Sequence, residues 1–132
     1  NKLRARGVRL CGRQSEAQVR RLFGRASMYV AASQYEPFGL APVEAALSRC
    51  AVIANDIPTF RELWGDTACY FERNNAQDLA RTIDRLQQDN DLRLTYSNLA
   101  YRRARQWFTA ERMVTDYLNL YRSLAPAGAA VA

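Results

Sequence analysis

Four short apolar runs punctuate the first part of the chain, and segments with helical periodicity separate them. The runs have the length of buried strands and cover residues 8–11, 28–32, 51–54 and 68–71. Ser15 and Gln18 are spaced as a capping box that begins a helix after the first run. Short strands that alternate with helices predict a parallel sheet covered on both faces, which is a doubly wound α/β fold.

The remaining helices follow from their start and stop signals. Helices are predicted over about 39–49, with Pro42 in the first turn, and over 59–64, ending at Gly65. After the fourth apolar run the pattern is helical throughout, with Asn75 and Thr109 as predicted N-caps. Residues 1–124 are expected to form one domain, and residues 125–132, which have no periodicity, a flexible tail.

Composition narrows the classes of function. The chain of 132 residues carries a net charge of +6, almost all of it from arginine. This excess indicates either an anionic partner, such as a phosphorylated ligand, or solvated helix faces. The arginines are scattered and not interleaved with aromatic residues, so no nucleic-acid partner is expected. No apolar run is long enough to span a bilayer, and the first residue is not methionine, so a piece of a longer chain is expected.

Histidine is absent from the sequence, which excludes His-dependent catalytic triads and the common zinc sites. Cys11, Cys50 and Cys69 are widely spaced and lie in or beside apolar segments. Their odd number argues against a disulfide framework, and buried thiols in a reducing compartment are expected.

Two carboxylates, Glu36 and Glu44, flank the predicted start of the second helix with seven residues between them. The backbone N–H groups of Phe38, Gly39 and Leu40 are expected to be unpaired there. Together with the helix dipole they form a suitable position for a diphosphate. The same spacing also fits a loop acid and an ordinary helix-surface glutamate, so the spacing alone leaves both interpretations open.

The sequence Glu-Pro-Phe-Gly-Leu-Ala-Pro-Val-Glu-Ala-Ala at 36–46 resembles the E-x7-E signature of retaining GT-B glycosyltransferases of family 4, the glycosyl transferases group 1. The segments at 8–12, 28–33 and 51–56 are similar to the family's strands around that signature, and the likeness covers roughly residues 7–124. The resemblance implies part of a Rossmann-like carboxyl-terminal domain that binds a nucleotide sugar, closed by a helical tail.

The resemblance also implies a set of residues that share one donor-binding cleft. Glu36 would hold hydroxyls of the donor sugar as the catalytic-site acid, and Glu44 would hold the ribose diol. Glu62 is a weaker candidate that is equally well explained as a helix-surface residue. The whole donor-binding set is Gly12 and Arg13 beside the base, Glu36, Pro37, Phe38, Gly39 and Leu40 at the sugar and diphosphate, and Glu44 at the ribose.

The sequence departs from the family pattern at two places. Residues 47–52 (Leu-Ser-Arg-Cys-Ala-Val) stand where the family has an A-x-G-x-P-V pattern, and Asp56-Ile57-Pro58 replaces a glycine pair. Both departures leave the donor sugar open. The family's earlier strands, its basic pair and its amino-terminal domain have no counterpart here. We therefore expect a gap in the sheet between the strands at 8–11 and 28–32, with self-association or a partner polypeptide covering the exposed edges.

The activity implied by the resemblance is transfer of a sugar from a nucleotide-diphosphate sugar to an unknown acceptor with retention. No metal or other cofactor is expected, and this segment by itself is expected to be inactive. Two alternatives stay open: a non-catalytic nucleotide-sugar-binding or interaction module, and a sugar-nucleotide epimerase of the same fold, which usually needs histidine. A cytoplasmic location, or one peripheral to the inner membrane face, is expected.

Overall fold

The computed structural model describes residues 7–124. In this range six α-helices surround a parallel sheet of three strands in the order β1-β2-β3, and a 3-10 turn, Gly65–Thr67, precedes β3. The strands are β1 (Met28–Ala31), β2 (Ala51–Asn55) and β3 (Cys69–Phe71). The helices are α1 (Glu16–Phe23), α2 (Leu40–Leu47), α3 (Pro58–Trp64), α4 (Ala76–Gln88), α5 (Asn90–Trp107) and α6 (Ala110–Leu124).

Both faces of the sheet are covered, which confirms the predicted α/β class. On one face, β2 contributes Val52 and Ala54 to a core that includes Ala46 of α2, Phe60 of α3 and Ala100 of α5. On the opposite face, apolar side chains of all three strands pack against α4 and the start of α5. The strands contribute Met28, Val30, Ile53, Cys69 and Phe71, and the helices contribute Leu79, Ile83, Leu86, Leu92 and Tyr96. All residues of β2 are buried because it is the central strand.

The predicted helix caps are confirmed. The Ser15 hydroxyl accepts from the N–H of Gln18, whose side chain accepts from the N–H of Ser15. The Asn75 side chain caps α4, and the Thr109 hydroxyl accepts from the N–H of Arg112 at the start of α6. None of the helices in the range 7–124 is long and apolar enough to cross a membrane.

Arg49 stands in a left-handed conformation, with φ of 66°, in the turn between α2 and β2. This conformation favours glycine, and the resemblance places a glycine in this region. Three contacts with α5 offset the strain: the Arg49 guanidinium lies 3.5 Å from the ring centre of Tyr101, donates to Asn98 Oδ1 at 2.9 Å, and the backbone carbonyl accepts from the Ser97 hydroxyl at 2.7 Å.

Two predictions about the amino-terminal part of the chain are wrong. Residues 8–11 form no strand, because none of the strands in the described range hydrogen-bonds to their backbone. Their side chains are exposed. The gap was expected between residues 8–11 and β1; because residues 8–11 form no strand, β1 is an edge strand of the described sheet and no gap separates two of its strands. Cys50 and Cys69 are buried as predicted, whereas Cys11 is exposed. Self-association stays a prediction, and the tail at 125–132 lies outside the described residues.

Candidate functional site

The signature segment runs from the carboxyl end of β1 to the start of α2, as the sequence predicts. Gly39 is the N-cap residue of α2 and has φ of 77°, a left-handed conformation. A Cβ placed on Gly39 would lie 3.1 Å from Glu36 Cγ and 3.3 Å from the Pro42 ring. The chain therefore turns tightly enough here to bring the Glu36 side chain against the beginning of the helix.

The first turn of α2 has no side-chain cap. Its unpaired backbone N–H groups are those of Gly39, Leu40 and Ala41, because the next residue, Pro42, carries no N–H. The predicted helix start is thus confirmed, and Ala41 adds one bare N–H group to the predicted set of Phe38, Gly39 and Leu40. They add partial positive charge at the carboxyl end of the sheet, where ligands bind in folds of this kind.

Phe38 is 40% exposed, and its ring contacts the C-cap residue of α5. The ring packs edge-on against Phe108 at 5.4 Å between centroids, and Phe108 in turn lies 5.4 Å from the ring of Trp64. The side chain of Phe38 therefore anchors the loop to the end of α5.

Tyr29 of β1 shows that the two signature glutamates share one neighbourhood. Burial raises the pKa of the Tyr29 phenol, and the negative charges of Glu36 and then Glu44 raise the pKa further. Glu36 is half-buried and Glu44 is exposed. Both carboxylates therefore lie within electrostatic range of one phenolic hydroxyl. Sequence reasoning did not single out Tyr29, although an aromatic residue in the strand that leads into the signature was an available signal.

Asp56, one of the residues that depart from the family pattern, is held within the protein. Arg61 donates to both carboxylate oxygens at 2.6 and 2.7 Å, and its guanidinium lies 3.7 Å from the ring centre of Tyr70. The Arg61 hydrogen bond is the main cause of a lowered pKa for Asp56. The loop after β2 is thereby tied to α3.

A groove with a volume of about 830 Å³ is lined on one side by Phe38 and Leu40. Glu62 of α3 borders this groove, whose outer wall is α6. The guanidinium groups of Arg103 and Arg112 lie 3.6 and 3.7 Å from the ring centre of Trp107. At these distances they must occupy opposite faces of the indole, since both could not fit on one face. Glu62 thus borders the groove, and its predicted role in donor binding stays a prediction.

Gly12 and Arg13 lie in the exposed segment before α1. Gly12 has φ of 62°, as expected of a glycine at a turn. In the described part of the chain, no hydrogen bond or ion pair joins either residue to the signature segment. Their predicted position beside a nucleotide base stays a prediction.

A doubly wound sheet with a glutamate-flanked helix start is the arrangement that the resemblance to the glycosyltransferases implies. The family model for the glycosyl transferases group 1 matches residues 2–103. The chain belongs to this family.

Curated relatives carry related names. The chain is 35% identical over 104 residues to the lipopolysaccharide core biosynthesis mannosyltransferase LpcC of Rhizobium leguminosarum bv. viciae. The aligned region covers 77% of this chain and 30% of that protein. It is 32% identical over 108 residues to the serotype-specific mannosyltransferase WbdA of Escherichia coli, or 80% of this chain and 12% of that protein. The chain thus spans less than a third of either relative.

Solved structures confirm the GT-B type of fold. Sucrose-phosphate synthase from Thermosynechococcus elongatus superimposes with a TM-score of 0.68 at 28% identity, covering 78% of this chain and 26% of that one. TarM superimposes with a TM-score of 0.69 at 24% identity, covering 82% of this chain and 22% of TarM. This likeness supports the fold alone.

Proposed function

We propose that this chain forms the donor-binding wall of a retaining glycosyltransferase that uses a nucleotide-diphosphate sugar. The observation that carries the proposal is the bare start of α2, which lies between Glu36 and Glu44 with the two carboxylates near Tyr29. Activity is proposed to require further parts of a longer protein, since the chain spans 30% of LpcC.

The proposed chemistry follows from charge. As the bond between sugar and diphosphate breaks, negative charge collects on the leaving diphosphate. The N–H groups of Gly39, Leu40 and Ala41 and the dipole of α2 would stabilise that charge. Because these fixed donors supply stabilisation, we propose that donor binding needs no metal ion, so that EDTA leaves donor affinity unchanged.

The two glutamates are proposed to hold different parts of the donor. Glu44 lies on the second turn of α2 and would accept from the ribose hydroxyls. Glu36 lies against Gly39 and would accept from hydroxyls of the transferred sugar. Mannose is the first sugar to test, because LpcC and WbdA are both named as mannosyltransferases.

The experiment compares Glu36→Gln and Glu44→Gln in the full-length protein that carries this chain. Glu111→Gln is the control, because Glu111 is an exposed glutamate of α6. Calorimetry measures affinity for a nucleoside diphosphate and for the corresponding nucleotide sugar. Loss of a charge-assisted hydrogen bond should weaken binding by about 10- to 100-fold.

The pattern of losses separates the two roles. Glu44→Gln should weaken both ligands, whereas Glu36→Gln should weaken the nucleotide sugar and leave the nucleoside diphosphate unchanged. Wild-type affinities in both variants would remove the glutamates from the site. Donor binding without transfer to any acceptor would favour the non-catalytic module, and conversion of the donor sugar without an acceptor would favour an epimerase.

A further inference from the structure

Asn55, the last residue of β2, is a polar side chain in the core with an exposure of 1%. Its Nδ2 donates to the backbone carbonyl of Ser33 at 3.1 Å and to Asn74 Oδ1 at 3.0 Å. Its Oδ1 accepts from the backbone N–H of Asn74 at 3.0 Å. The backbone N–H can act only as a donor, so it determines which way the Asn55 amide points.

These three hydrogen bonds join the loops that leave all three strands. Ser33 lies in the loop between β1 and α2, three residues before Glu36. Asn74 lies in the loop between β3 and α4, and Asn55 ends the central strand between them. One buried amide thus connects three chain segments at the carboxyl edge of the sheet.

The connected segments have features that need such an anchor. Asn74 has φ of 59°, a left-handed conformation that is uncommon for residues other than glycine and is maintained by its contacts. The loop after Ser33 has to deliver both the Glu36 carboxylate and the left-handed Gly39 to the start of α2. A shift of the Ser33 carbonyl would be passed along this short segment to both.

We propose that Asn55 is a positioning residue for the donor site. It does not touch the donor; it holds the exit of the signature loop, so that Glu36 and the bare N–H groups of α2 face one ligand. This inference rests on the proposed function for its consequence in binding, whereas its effect on the loop is measurable without any ligand.

Three variants test the anchor. Asn55→Asp keeps the size of the side chain and replaces the amide donor with an oxygen, which then faces the acceptors of Ser33 and Asn74. Asn74→Gly removes one of the two acceptors but keeps the bond from Asn55 to Ser33 and tolerates the left-handed backbone. Asn98→Asp on α5 is the matched control, because it keeps the oxygen that accepts from Arg49.

The first measurement is hydrogen exchange of the unliganded protein, followed by mass spectrometry. In Asn55→Asp, exchange should become about tenfold faster or more at the first hydrogen-bonded amides of α2, in segment 43–46, and in segment 72–78, with α4 beyond its first turn and α5 unchanged. In Asn74→Gly, the increase should be confined to the second segment. The control should match the wild type.

The second measurement is donor KM in the full-length protein. Asn55→Asp should raise it about tenfold and leave acceptor KM unchanged. Unchanged exchange at 43–46, or acceleration spread evenly over all helices, would overturn the positioning role. Should Asn55→Asp not fold, Asn55→Ser allows the same comparison, because its hydroxyl is too short to reach both loops.

The two proposals can fail separately. If the loops loosen in the variant but the wild-type protein binds no nucleotide sugar, the proposed function fails and the anchor stands. If the wild-type protein binds the donor and Asn55→Asp binds it equally well, the positioning role fails and the proposed function stands.

Discussion

Replacing Gly39 with alanine should destabilise the protein and disturb the candidate site together. The φ of 77° at this position costs an L-residue about 1–2 kcal/mol. The added methyl group would lie 3.1 Å from Glu36 Cγ and 3.3 Å from the Pro42 ring. Glu36 can rotate away at little cost, but the proline ring cannot. The clash with the Pro42 ring therefore adds to the strain. Alanine restricts the unfolded chain and recovers about 0.4–1 kcal/mol. From these three contributions we expect a net loss of about 1–2 kcal/mol.

Urea unfolding of Gly39→Ala measures this loss, and Gly24→Ala is its matched control. Gly24 has φ of −64°, and a Cβ there would lie 3.5 Å from the Arg20 carbonyl oxygen, an ordinary contact. The control should therefore be neutral or slightly stabilising, while the midpoint for Gly39→Ala falls by roughly 1 M. Because Glu36 must move, affinity for the nucleotide sugar should fall as well. Equal midpoints for the two variants would refute this account of the turn.

Substitutions at three further positions test other parts of the structure. Arg49→Ala keeps the left-handed strain and loses the two side-chain contacts with α5, so urea unfolding should show a loss of about 1–2 kcal/mol, whereas Arg49→Gly relieves the strain and should be nearly neutral. The hydrogen bond from Arg61 lowers the pKa of Asp56, so the pair stabilises the fold above the ordinary carboxyl pKa and this contribution disappears as pH falls. Asp56→Asn should therefore flatten the acid side of the stability curve, by less than about 1 kcal/mol for so exposed a pair; an unchanged curve would contradict this. Tyr70→Phe removes the O–H donor to the Phe60 carbonyl at 2.9 Å and should cost about 1 kcal/mol. Burial is the main cause that raises the pKa of Tyr70 to about 12, so wild-type stability should decline between pH 10 and 12. The decline should be smaller in the variant, in which Tyr29 and Tyr96 still have raised pKa values.

Local signals in the sequence were sufficient to predict most of the elements and the helix start at the site. Ser15, Asn75 and Thr109 cap their helices because a capping side chain bonds to an N–H only two or three residues away. The turn at Gly39 is equally local, since it depends on one backbone conformation between a strand and a helix. These interactions need no information from distant parts of the chain.

Residues 8–11 show where local patterns fail. Their apolar character is that of a strand, but a strand exists only when a neighbour accepts and donates its backbone hydrogen bonds. None of the strands in the described range provides that neighbour. Residues 8–11 are therefore exposed, and they include Cys11, whose burial was predicted from its place in this run.

The sequence by itself determined the order of strands and helices, the caps and the helix start flanked by Glu36 and Glu44, because these depend on contacts between near neighbours in the chain. The tertiary structure alone decided that both carboxylates lie near Tyr29 and that Asn55 joins three loops. The bonds of Asn55 span 22 and 19 residues of sequence, and such contacts exist only after the strands have aligned their carboxyl ends at one edge of the sheet.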